Sequence, residues 1–437
     1  MAIAEAYRAL REACRAIAET CRGARKGGRE APPGEHELTE IPGERPSYGR
    51  VAGTMTHRGG VLPSQWIRKA LSDGTLSAVR PVEPSQIQPN SIDLRIGRSG
   101  TRVQCSFLPG RDGVASRLRR FGIYPVDAGP DGVVLERNAV YLFPLLESLK
   151  LPPGVRARAN PKSSTGRLDI FCRLVTEHGT SFDDIPEGFA GPLFLEVVPR
   201  SFPIRVREGD SLAQLRFVVG DPTLDDDETR ALMAREPIIV APETLPAGHA
   251  GLRVEDGVFM SVNLSSEGAV GYRARRNTGA IDLRGRHPVG QFWEPISHSP
   301  DEPLLLEPDE FYILRSNELV RLPPSVCAEM VPFDAGAGEV RTHYAGFFDS
   351  GFGYVSADDR GVAAAAVVLE VRGRDVPFHV DEGNHLFRVI LLRNSEAPDD
   401  LYGKGLQSHY QGQRLRLSKQ FLPEDGDPES QLPLRFR

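Results

Sequence analysis

No stretch of the 437 residues comes near the run of about 18 apolar residues that a membrane-spanning helix requires. An excess of basic charge is also lacking. The 53 Lys and Arg are outweighed by 59 Asp and Glu, for a formal charge of −6, so no footprint for nucleic acid is expected. Cysteine is scarce: Cys14, Cys21, Cys105, Cys172 and Cys327 are scattered and never fall as CxxC. They read as reduced thiols of a cytoplasmic protein, not as a disulfide frame or a zinc site. HExxH, HxE…PCxxC, Walker A and a GxGxxG after a strand are all missing, so zinc hydrolysis and the common phosphate loops lack their ligands. The first 30 residues carry Glu and Arg throughout, unlike a signal peptide.

What the chain does have is glycine and proline, 44 and 36 residues, which favours a turn-rich β protein over a helical bundle. Residues 1–60 stand apart. Ile3, Tyr7, Leu10, Cys14, Ile17 and Cys21 form a helical stripe, followed by a Gly/Pro/charge-rich linker, and the segment is expected to be a dispensable extension. A short helix is predicted over Pro63–Leu71 with Gly74 ending it. Short β-like runs follow, among them Ser91–Ile96, Val133–Phe143, Phe194–Val198, Phe202–Val206 and Leu212–Val219.

An internal repeat decides the organisation. Leu149–Val155, ending at Pro161, returns as Val320–Val326, ending at Pro332. Leu195-Glu196-Val197 returns as Leu369-Glu370-Val371, and Arg200…Pro203 with Glu208-Gly209 as Arg374…Pro377 with Glu382-Gly383. Ile92–Arg95 recurs as Ile281–Arg284. The expected architecture is mainly β, a tandem duplication with one domain over 61–230, a second over 245–422, and a few short helices. The acidic run Asp225–Glu228 between them reads as a solvated segment.

Two features could carry chemistry. Lys162-Ser163-Ser164-Thr165-Gly166-Arg167 offers cations, hydroxyls and a glycine for close backbone approach, the material of a phosphate cradle, although a solvated turn can have the same composition. Glu196 and Glu370 place one carboxylate in the middle of an apolar strand in each copy. Each reads either as the polar face of a half-buried strand or as a general base raised by burial.

The order Gly-Val-Leu-Pro-Ser (60–64), Gln88-Pro-Asn-Ser-Ile-Asp93-Leu-Arg, Lys-Ser-Ser-Thr-Gly-Arg (162–167) and Leu-Glu-Val resembles the dCTP deaminases, members of the dUTPase-like β-barrel superfamily, and within them a long bacterial branch in which the domain is duplicated. The resemblance covers about residues 60–422. It implies a jelly-roll or barrel fold and a site between domains, in a homo-oligomer, with the loop from one domain and the catalytic Glu from its neighbour. Ser163, Ser164 and Arg167 match the family loop, whereas Lys162 stands where the family has Arg. The family's base-binding segment is matched in the second copy by Ala345…Asp349-Ser-Gly-Phe352. Its tail of Tyr, Lys and Gln is matched by Tyr402, His409 and Gln413, with His in place of Lys. In the second copy the loop reads Phe333-Asp-Ala-Gly-Ala-Gly338 and has lost both cations and hydroxyls.

The resemblance further implies hydrolysis of dCTP to dUTP and ammonia by a Glu-activated water. Ser163 and the Ala345 carbonyl would hold that water, Mg²⁺ would ride on the triphosphate, and zinc would take no part. The expected base is Glu370, acting on substrate held by the loop of the first copy, with Glu196 the second candidate. Two other readings stay open: a dUTP pyrophosphatase or bifunctional enzyme releasing dUMP, and a non-catalytic nucleotide-binding protein.

Overall fold

The computed structural model of the chain describes residues 59–240, 252–265, 268–297, 299, 304–332, 340–342, 346–354, 364–373, 375–403 and 410–422. The helical stripe of residues 1–60, Ala345, His409 and the 333–338 loop lie outside the described residues.

The helix expected after Pro63 spans Ser64–Asp73, burying Ile67 and Ala70, and Gly74 stops it in the left-handed region at φ 80°. Beyond it the chain is mainly β, two consecutive β domains. In the first, strands Val140–Lys150 and Ala190–Pro199 lie antiparallel at the centre of a six-stranded sheet, facing a five-stranded sheet centred on Ser211–Val219 and Val155–Pro161. The second domain repeats both sheets. Phe311–Val320 pairs with Ala365–Gly373, and His385–Arg393 pairs with Val326–Pro332. Alternation drives the packing: along Val155–Pro161 the side chains of Val155, Ala157 and Ala159 go inward and those of Arg156 and Arg158 are only partly covered.

The duplication reaches down to single hydrogen bonds. The Tyr141 hydroxyl accepts from the Glu136 amide (3.1 Å), and the Tyr312 hydroxyl from the Glu307 amide (2.9 Å). The buried Glu147 carboxylate accepts from the Arg95 amide (2.8 Å), and the buried Glu318 carboxylate from the Ser261 amide (2.7 Å).

That last pair corrects the sequence reading. The counterpart of strand Ile92–Arg95 is Val258–Ser261, since each pairs antiparallel with the equivalent long strand of its own domain. Ile281–Asp282 instead runs parallel to Ile204–Val206 of the first domain, so the four-residue identity with Ile92–Arg95 is not part of the repeat. The acidic run is solvent-facing, with Asp225 and Asp227 exposed, and it is ordered as a helix start: Asp225 caps the helix Asp226–Arg235, accepting from the Glu228 amide at 2.8 Å. Leu224, Ile238 and Ile239 around this helix join the second core, which therefore begins before residue 245.

The two domains share apolar packing. Ile281, Phe292, Trp293 and Phe421 of the second copy lie in the same buried cluster as Phe202, Ile204 and Leu135 of the first. Area buried in this way contributes roughly 25 cal/mol per Å², which holds the two halves in one register. Among the described residues, no helix is long and apolar enough to cross a membrane.

Candidate active site

The loop Lys162–Arg167 forms a single helical turn, Ser163–Gly166, at the end of strand Val155–Pro161. It faces the second copy. Gly166 lies so close to Glu370 that a methyl group there would collide with the carboxylate, which explains the glycine by proximity alone. Glu370 is buried, and its carboxylate forms no hydrogen bond among the described residues. Burial pushes its carboxyl well above the ordinary range; the nearby Arg167 guanidinium opposes this and Asp169 adds to it.

Asp169 fixes the far end of the turn. Its backbone is left-handed at φ 55°, its amide donates to the Gly166 carbonyl (2.8 Å), and its carboxylate accepts from the Ser201 hydroxyl (2.6 Å) and from Arg372. Arg372 is two residues along the same strand as Glu370 and so shares its face. The buried Asp169–Arg372 pair thereby ties the turn of one copy to the Glu strand of the other.

A cavity of about 210 Å³ opens between the copies. Its first-copy wall includes Lys162, Ser163, Ser164 and Arg167, and its second-copy wall Asp349, Tyr402 and Gln413, with Phe347 and Phe352. The Glu370 carboxylate lies against Gly166 and beside Arg167, and Arg167 itself lines the cavity. A second cavity of about 330 Å³ shares Ser85, Asp93, Lys162, Ser164 and Lys419 with the first, so the two adjoin.

Several wall residues are held by definite partners. Asp349 is fully buried and accepts from Arg216 Nη2 (2.8 Å) and the Ser91 hydroxyl (3.1 Å). Burial pushes its carboxyl up, and Arg216 opposes the shift. Arg216 also donates to the Ala328 carbonyl (3.1 Å) and lies 4.0 Å over the Phe347 ring. Arg167 stacks 3.9 Å over Tyr410 and donates to the Arg416 carbonyl at 2.8 Å. The Gln413 amide nitrogen donates to the Ala366 carbonyl (3.0 Å), leaving its Oε1 buried with no partner among the described residues. The Tyr402 hydroxyl accepts from the Tyr410 amide (3.3 Å) while its ring meets Phe352. Lys162 is ion-paired with Asp93.

Of the residues singled out from sequence, Glu370, Lys162, Ser163, Ser164, Arg167, Asp349, Tyr402 and Gln413 come together here. Glu196 does not. It sits in its own sheet, accepting from Arg173 at 2.6 and 3.0 Å, and Arg173 in turn stacks 3.7 Å over Phe182. Sequence reasoning missed Asp93, Asp169, Arg216, Arg372, Tyr410 and Lys419. Arg216 had a readable signal: it interrupts the apolar strand Leu212–Val219 just as Glu196 and Glu370 interrupt theirs.

A polar cavity walled by two β domains, lined by aromatic rings and cations and adjoined by a buried carboxylate, has the features of an enzyme site built by both domains. The chain belongs to the 2'-deoxycytidine 5'-triphosphate deaminase family: the N-terminal domain of that family matches residues 58–221 and its C-terminal domain residues 225–421. It is an enzyme of that type. It is similar to a "dCTP deaminase, dUMP-forming" of Aquifex aeolicus, 31% identical over 167 residues that span 36% of this chain and 80% of the relative. A dCTP deaminase of Acidianus ambivalens is 28% identical over 139 residues, 32% of this chain and 73% of the relative. The crystal structure of 2'-deoxycytidine 5'-triphosphate deaminase from Agrobacterium tumefaciens superposes with a TM-score of 0.71 at 41% identity, covering 77% of this chain and 100% of the other.

Proposed function

We propose that the deamination of dCTP is carried out in the cavity between the two copies, with Glu370 as the base. The observation that carries this reading is the seat of Glu370, a buried carboxyl raised above its ordinary range and lying against Gly166 of the turn that presents Ser163 and Arg167. The pyrimidine lies by the rings of Phe347, Phe352 and Tyr402, with the Gln413 side chain in the same wall. Water held by the Ser163 hydroxyl gives a proton to Glu370, and its oxygen adds to C4. The proton passes to the departing nitrogen as the C4–N bond breaks, and the proton left on the new C4 hydroxyl moves to N3, so dCTP and water become dUTP and ammonia. A raised pKa makes Glu370 a stronger base once ionised, and such catalysis typically supplies about 10²–10⁴-fold. Arg167 steadies the ionised form.

Zinc is proposed to take no part, on the ground that the sequence carries neither HExxH nor HxE…PCxxC. Mg²⁺ is proposed to arrive on the triphosphate oxygens.

A second reading is favoured by the relatives of Aquifex aeolicus and a Sulfurihydrogenibium species, which are dUMP-forming: the dUTP made here is cleaved further to dUMP. One assay tests both. Purified protein given dCTP and magnesium should release ammonia with dUTP as product; dUMP in its place establishes the second reading. Nucleotide binding without ammonia contradicts both.

A further inference from the structure

Five cations touch the two adjoining cavities, and four are already engaged. Arg95 donates to the buried Glu147 carboxylate at 2.7 Å, Arg284 to Asp210 at 2.7 Å, and Lys162 is ion-paired with Asp93. Arg167 is buried beneath Tyr410 and bonded to a backbone carbonyl. The fifth, Lys419, lines both cavities, and its ammonium forms no hydrogen bond or ion pair among the described residues.

The backbone beneath Lys419 is fixed. Its amide donates to the Tyr410 hydroxyl (3.3 Å), and its carbonyl accepts from Arg286. On one side the Ser418 hydroxyl donates to the Ser164 carbonyl (2.7 Å), attaching this tail of the second copy to the loop of the first. On the other side Phe421 packs 5.8 Å from Phe292 and 6.0 Å from Trp293. The position is therefore preorganised while the charged head is left for something else.

The chemistry of the two cavities says what that is. Aromatic rings line only the first cavity, whereas the second is lined by Arg95, Arg284 and three carboxylates, of which Asp93 and Asp210 are paired with Lys162 and Arg284 and Glu83 caps the short helix Pro84–Gln86. A nucleotide whose base lies among the rings sends its phosphates past the shared wall, where Lys419 stands. We propose that Lys419 is the cation that receives the triphosphate, the contact for which the sequence pattern offered Lys162 and His409. Burial and the neighbouring Lys162 charge hold the Lys419 ammonium below its ordinary range, an imbalance that an arriving phosphate relieves.

This inference rests on the nucleotide occupying the cavity between the copies, and its test separates the two. Lys419→Met keeps the apolar stem and removes the charge. Inorganic tripolyphosphate and deoxycytidine, neither of which is turned over as dCTP is, are titrated by calorimetry, and KM and kcat for dCTP are measured alongside. Tripolyphosphate affinity should fall about tenfold or more and KM should rise by a similar factor, as for loss of a charge-assisted contact. Deoxycytidine affinity should hold, Lys419→Arg should recover much of the loss, and Lys69→Met on the exposed helix face should change nothing. Unchanged tripolyphosphate affinity in Lys419→Met overturns the assignment. An equal loss for deoxycytidine and tripolyphosphate also overturns it, as a structural effect. Deoxycytidine failing to compete with dCTP, while tripolyphosphate still depends on Lys419, overturns the placement of the base instead.

Discussion

Glu196 lies across from Leu142 and Glu370 across from Ile313, the same step of the same strand in two copies of one domain. The two are almost equally buried, at 3% and 5% exposed. What differs is the approach from outside. Glu196 is neutralised within its own sheet by Arg173, whereas Glu370 meets the turn of the other copy, with Gly166 closest and Arg167 beside it. The surrounding positions diverge in the same sense. The strand residue equivalent to Arg216 is Ile390, and the residue equivalent to Asp349 is Pro186, as the paired registers require. In the aligned loops, Gly166 corresponds to Ala337 and Arg167 to Gly338. A duplicated fold has kept half of a site in each copy. One combination of halves has every component, and the reciprocal one would set Ile390 and Pro186 where Arg216 and Asp349 meet.

The contrast is broken most severely at Gly166. Gly166→Ala gives this loop the residue that stands in the second copy and drives a methyl into the Glu370 carboxylate. Displacement of reacting groups by about 1 Å costs roughly 10²-fold, so turnover measured by ammonia release should fall by about that factor with the melting temperature little changed.

Arg216→Ile likewise copies the second-copy residue and leaves Asp349 buried without its cation. Removing one partner of such a pair costs about 3–5 kcal/mol, read as a lower denaturation midpoint. Asp349 already sits above its ordinary pKa because of burial, and losing Arg216 raises it further. A carboxyl whose folded pKa exceeds its unfolded value is favoured protonated, so the deficit should shrink as pH falls. A deficit independent of pH would mean that Asp349 is not the group left exposed to the loss.

A smaller effect is expected at Asp169. Its charge helps to raise the Glu370 carboxyl, and Asp169→Asn removes it while freeing the Arg372 cation nearby. Both changes lower the Glu370 pKa. A base works only when ionised, so the acidic limb of the kcat–pH profile should move to lower pH. Movement in the opposite direction, or none, would separate Asp169 from the reacting carboxyl.

Much of the fold could be read from the sequence because the repeat is written in prolines and glycines that close equivalent turns, such as Gly209 at φ 88° and Gly383 at φ 81°. The misread block shows the limit of that approach. Val258–Ser261 and Ile92–Arg95 share no residue at matching positions, yet they do the same work through backbone amides bonded to Glu147 and Glu318. Main-chain equivalence leaves no trace in side-chain letters. The loop and the two strand carboxylates were legible because charge within an apolar run is conspicuous. Asp169, Arg372 and Lys419 were not, since each is ordinary in its own stretch and acquires its role only where distant segments meet.

Glu370→Gln and Glu196→Gln, compared in one ammonia-release assay on dCTP, test the division of labour most directly. Glu370→Gln keeps the shape and removes the base, so turnover should fall by about 10²–10⁴-fold with dCTP binding retained. Glu196→Gln should lose far less, since it only weakens the bond to Arg173. The reverse order, with Glu196→Gln nearly inactive and Glu370→Gln close to the unaltered protein, would contradict the assignment of the reacting carboxylate to the second copy.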